Sequence, residues 1–174
     1  MVDRSYRYPA AVRWIHWLAA ALVAVAYLTS ESAEDLEEFT AGAVNWHVLA
    51  GLVLMLLFIP RVLARVWMRR PPPMESGTAA KWMARTVHLS LLLFIVVEPL
   101  LGILMVWAGG NSVPVPLTSW DLPALLVLGE GWEDTLEDLH EDIGNIFYAV
   151  IGLHVFASLW HQFVRRDDVL KRML

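Results

Sequence analysis

The chain has no cysteine, and only 18% of its 174 residues are charged. Without thiols there are no disulfides, no thiolate-held iron–sulfur clusters, no c-type haem attachment and no cysteine nucleophile. Soluble domains carry about 25% charged residues and about 45–50% apolar ones; here 57% are hydrophobic. Basic residues are missing from two whole connecting segments, as set out below. Gly-rich phosphate loops, a metalloprotease motif and DNA-binding elements are also lacking, and HEDIG after Leu139 has no second histidine at the zinc-helix spacing. Nucleic acid is therefore not an expected partner. An integral membrane protein is the class left standing.

Four apolar runs are present, at roughly 14–30, 44–60, 86–108 and 143–164, each of a length that crosses a bilayer as a helix. With these as spans, all thirteen Lys and Arg fall on one side: Arg4, Arg7 and Arg13, then Arg61 to Arg85, then Arg165 to Arg172. The other side has none, but holds thirteen of the eighteen acids, between 31 and 38 and between 121 and 142. The positive-inside rule then puts both termini and the middle loop in the cytoplasm. The first run lacks a small-residue cleavage pattern, so it is read as a retained helix rather than a signal peptide. The expected fold is all-α: one domain over 1–174, an integral membrane four-helix bundle with helices near 10–30, 42–68, 80–108 and 134–166. RRPPPMESGTAAK cannot be helical through Pro71–Pro73. Residues 109–139 form the longest connection, with PALLVLG too short to span and suited to an interfacial segment or lid.

The last span organises the rest. From Ile143 to Val164 it carries no Asp, Glu, Lys or Arg, yet it holds His154 and His161, with His140 just before it. Ionisable side chains at membrane depth are costly and mark function. His140, His154 and His161 share one stripe, and a fourteen-residue step is about 21 Å of helix. One face thus offers an imidazole near each side of the bilayer. By topology His47 and His140 lie near the periplasmic side, and His16, His88, His154 and His161 near the cytoplasmic side. A low-spin haem takes two axial imidazoles from opposite directions. The periplasmic level has one pair, His47 with His140; at the cytoplasmic level His154 has His16 or His88, which spacing does not separate. A zinc site fits poorly, because the histidines lie at different depths without carboxylate or thiolate company. A haem-free bundle relaying protons would not require the matched levels.

Other residues belong to this picture. Ala19, Ala20, Ala21, Ala24 and Ala26 let a bulky group or another helix approach helix 1. Gly51, one turn below His47, removes a side chain that would collide with a flat macrocycle. Arg61 shares the His47 face and is either a snorkelling positive-inside residue or a partner for an anion such as a haem propionate. Glu98, followed by Pro99 within the third span, should not face lipid. It is expected to bond backbone freed by the proline or to handle protons or quinone.

WIHWLAAAL, NWHVLAGLVLML with the later Arg61, ARTVHLSLLLFIVVEPLLGILM and LHEDIGNIFYAVIGLHVFASLWHQF recur in an order that resembles the bacterial cytochrome b561 family, the four-helix dihaem membrane cytochromes, along nearly the whole chain. The resemblance implies two haems b, one held by His16 and His154, the other by His47 and His140. It implies ubiquinone as electron partner and a bacterial inner-membrane location. His88 and His161 match positions that are not axial ligands and become quinone-site candidates. Family members include superoxide oxidases and the membrane anchors of hydrogenases and formate dehydrogenases. The acidic periplasmic face departs from what a superoxide collector needs, since superoxide is an anion. A cationic redox protein or a dehydrogenase subunit is the expected periplasmic partner, with superoxide:ubiquinone oxidoreduction as the alternative.

Overall fold

The structure, a computed structural model, describes residues 7–30, 37–68, 71 and 77–174, with the backbone alone for 37–41. Arg4, Tyr6, the acidic run from 31 to 36, Arg69, Arg70, Pro72 and Pro73 lie outside the described residues. Four helices make the bundle: α1 Ala10–Ser30, α2 Glu37–Trp67, α3 Thr78–Ala108 and α4 Trp132–Trp160. Each is long and apolar enough to cross a membrane, α4 together with the π-helical turn that continues it to Arg165. The first span matches its expected bounds. The second starts earlier, at Glu37, and the fourth gives way to the π turn at His161.

The apolar surplus in the composition has a structural counterpart. The helices bury few residues and turn large hydrophobics outward: Leu56 is 70% exposed and Phe163 68%. In water that would be an aggregating surface; against acyl chains it is the proper solvent face. The interior is a narrow column. Ala19, Leu54, Phe94 and Ile95 are its buried centre, with Tyr27, Phe58 and Phe147 packed on it. Lipid tails are as apolar as leucine, so this column is held by close packing and small residues rather than by escape from water. In sequence, α1 lies on α2, α2 on α3, and α3 on α4. Between α1 and α4 the meeting is made by long side chains, Tyr27 donating its hydroxyl to the Gly144 carbonyl at 2.7 Å.

The connection between α3 and α4 runs from 109 to 131, and α4 starts at Trp132, two residues before the expected helix start at 134 and within the expected 109–139 connection. Glu133 and Asp134 sit at the helix start, where acids complement the macrodipole. Gly131, with φ 83°, takes the left-handed step that lets the helix begin. A Cβ at Gly109 would collide with the Glu133 carboxylate, so glycine there lets the end of α3 meet the start of α4. Inside the loop is a small antiparallel hairpin, β1 Val113–Val115 with β2 Trp120–Leu122, in register Val113 to Leu122 and Val115 to Trp120. It is an addition to the expected all-α bundle. PALLVLG lies outside regular helix, with Leu125 and Val127 exposed.

Beyond the π turn, Arg166 and Asp168 take positive φ of 56° and 58° and fold the chain back. Lys171 donates to Asp168 at 2.8 Å and holds that carboxyl below its usual range. The backbone N–H of Tyr8 then donates to the Arg172 carbonyl at 3.0 Å, and the Trp17 indole to the Met173 carbonyl at 2.7 Å. Both ends of the described chain therefore meet at one end of the bundle, opposite the hairpin.

Candidate functional site: two levels of opposed imidazoles

The helices bring five of the six histidines together at two levels. At the hairpin end, His47 of α2 and His140 of α4 face each other with ring centroids 5.9 Å apart. At the other end, His16 of α1 lies 6.2 Å from His154 of α4, and His88 of α3 lies 5.5 Å from the same ring. Two imidazoles bonded to one metal at about 2 Å each have centroids about 6 Å apart. The spacing at both levels thus suits a shared metal, and it leaves His16 and His88 both within reach of His154.

The hydrogen bonds behind the rings differ, and the differences are chemical. His47 Nδ1 stands 2.9 Å from the Ala26 carbonyl oxygen. A carbonyl only accepts, so this bond puts the proton on Nδ1 and leaves the Nε2 lone pair free, the usual arrangement of a metal-binding histidine. His140 Nδ1 stands 3.1 Å from the Glu98 carbonyl oxygen and 2.7 Å from its carboxylate Oε2. Both partners accept, and again Nε2 is left bare. His16 is different, for its Nδ1 neighbour is Arg61 Nη2 at 3.4 Å, a long contact from a group that only donates.

Arg61 is the second orphan of the site. Its Nη1 is buried without a hydrogen-bond partner among the described residues. A buried guanidinium N–H left unmatched is costly, and an acidic group placed there would satisfy it. Gly51 lies against α3, where a Cβ would come 3.6 Å from Pro99. On the His140 side lies Gly102, whose Cβ would stand 3.5 Å from His140 Cε1.

His161 lies apart from this set. It opens the π turn and its Nδ1 is 2.6 Å from Asp167 Oδ2, which also lies 3.5 Å from Arg165 Nε. No ring contact joins it to His88 among the described residues. Between the two levels stand aromatic rings: Phe94 and Phe147 are stacked at 4.0 Å and 16°, and Tyr27 lies 4.1 Å from Tyr148. Sequence reasoning gave Glu98 freed backbone, protons or quinone as its task; its contact to His140 joins residues 42 apart in the chain.

A four-helix membrane bundle with opposed imidazoles at two depths has the architecture of a membrane cytochrome b. The family model that matches the chain over residues 7–174 is prokaryotic cytochrome b561, and the chain belongs to that family. It is 29% identical over 172 residues to the probable superoxide oxidase CybB of Yersinia pestis, covering 92% of this chain and 91% of that one. It is 30% identical over 164 residues to cytochrome b561 homolog 2 of Escherichia coli, covering 91% and 86%. A cytochrome b562 of Cereibacter sphaeroides is 26% identical over 168 residues, covering 92% and 90%. The protein is thus a multi-pass bacterial membrane cytochrome of the b type with an electron-transfer role, and haem b binding follows from the family.

Proposed function

We propose that the protein is a dihaem cytochrome b of the inner membrane that carries electrons between a periplasmic redox partner and the ubiquinone pool. The observation that carries the proposal is the pair of imidazole couples at about 6 Å, both using α4, fourteen residues apart. His47 and His140 would hold the periplasmic haem, and His16 and His154 the cytoplasmic one. Haem b supplies the one-electron couple, and the protein's levers are the axial imidazoles and the polarity around them. Arg61, with its unmatched Nη1, would take an anionic propionate. Gly51 would admit the edge of the macrocycle near His47. Phe94 and Phe147 fill the interval between the levels, keeping it dry and short.

His88 and His161 are the proposed quinone-site residues at the end where both termini meet. Asp167 orients His161 by accepting from its Nδ1, which leaves the Nε2 lone pair to accept from a quinol hydroxyl. With that end cytoplasmic, the exposed acids Glu130, Glu133, Asp134, Glu137, Asp138, Glu141 and Asp142 face the periplasm, with no Lys or Arg from 109 to 142. Such a field steers a cationic protein, a basic cytochrome or a dehydrogenase subunit, and repels small anions.

Superoxide:ubiquinone oxidoreduction is the second reading, supported by the likeness to the Yersinia pestis protein. Ionic strength separates the two. Reduction by a cationic partner is expected to slow by roughly tenfold or more from low to physiological salt, as screening removes the attraction. Reduction by superoxide against an acidic face is expected to quicken with salt. Stopped-flow haem reduction across a salt series checks both, and a rate that ignores salt would remove the acidic face from either scheme.

A further inference from the structure

Glu98 is the one buried charged side chain among the described residues, 7% exposed within the third span. A carboxyl at that depth is retained only with a partner or a task. Its partner is the ring of His140, which it grips twice: Oε2 lies 2.7 Å from Nδ1, and the main-chain carbonyl of the same residue lies 3.1 Å from it. The other carboxylate oxygen, Oε1, is buried with no hydrogen bond. Pro99 follows in the helix and Gly102 lies one turn on, leaving the ring's Cε1 edge 3.5 Å from where a Cβ would stand. Glu98 and Gly102 thus form a seat for one imidazole.

The two levels are dressed with opposite charge. Behind His140 stands a carboxylate, and beside His16 stands the Arg61 guanidinium at 3.4 Å. Behind His47 stands only the neutral Ala26 carbonyl, 2.9 Å away. A carboxylate accepting from the far nitrogen of a ligating histidine fixes its tautomer and raises its basicity. A more basic axial ligand and a nearby negative charge both favour the more positive, oxidised iron. A guanidinium at the other level favours the reduced one.

We propose that Glu98 is the positioning residue of His140 and holds the haem at that level at the lower midpoint potential of the two. Electrons then run downhill from the acidic, hairpin end toward the end with His16, His88 and His161. The inference rests on the proposed role of His140 as an axial ligand. It needs no conformational change, since the charges are built into two neighbouring helices.

Spectropotentiometric titration of the purified, haem-loaded protein tests it, with Glu98→Gln, Glu98→Asp and His140→Ala beside the wild type. His140→Ala identifies which redox wave belongs to that level. Glu98→Gln is expected to keep both haems and move that wave, the lower one, upward while the other stays in place. Glu98→Asp, which keeps the charge on a shorter arm, is expected to return the wave part of the way. Loss of that one haem from Glu98→Gln, regained in Glu98→Asp, also supports the positioning role. Unmoved waves, both waves moving together, a downward shift, or loss of both haems would overturn it. Should His140→Ala keep both haems, the ligand assignment itself fails; should it lose one while Glu98→Gln is silent, only the role of Glu98 fails.

Discussion

Purified His140→Ala protein is expected to carry one haem instead of two, and His47→Ala likewise, each leaving the His154 level intact. The reason is geometric: at the hairpin end the described imidazoles are this one couple, 5.9 Å apart, so no third ring stands ready to substitute. Pyridine haemochromogen content per protein and loss of one wave in the redox titration measure the outcome. Two haems in either variant would refute the pairing. The two variants should differ in stability. His47→Ala frees only the Ala26 carbonyl, which a helix already satisfies in part. His140→Ala strands the Glu98 carboxylate among apolar side chains, a loss on the order of 2 kcal/mol. The apoprotein of His140→Ala should therefore melt below that of His47→Ala in the same detergent.

His154→Ala should remove the other haem, and the partner question is answered by its neighbours. His16→Ala is expected to lose the same haem, whereas His88→Ala should keep both and instead weaken reduction or oxidation by a soluble quinone analogue. Distance alone does not decide this, because His88 stands nearer to His154 than His16 does, 5.5 Å against 6.2 Å. The choice of His16 is what the family resemblance implies, and Arg61 stands beside that pair to receive a propionate. Haem loss from His88→Ala with retention in His16→Ala would reverse the assignment.

The spans were legible because charge and hydropathy vary on the scale of a whole helix. The four apolar runs correspond to the four long helices of the structure. The histidine levels were legible because α4 runs unbroken from Trp132 to Trp160, so sequence distance converts directly into height. Features decided by contacts between helices were not legible. Nothing along the chain ties Glu98 to His140, and the expectation of a backbone partner or a proton task missed the imidazole across the helix pair. The hairpin escaped notice because each strand is three residues long, and Pro114 lies within the first. The start of α4 was blurred by its acids, which read as loop in a hydropathy profile although they cap a helix.

That both levels borrow a ring from one unbroken rod makes α4 a gauge of the height between them. Adding a single alanine anywhere between Phe147 and Ile151 would swivel His154 by about 100° relative to His140 and lengthen the rod by about 1.5 Å. Whatever residue is added, one of the two imidazole couples must then come apart. The spectrum of such a variant would report the phase of the helix, independently of any side-chain chemistry.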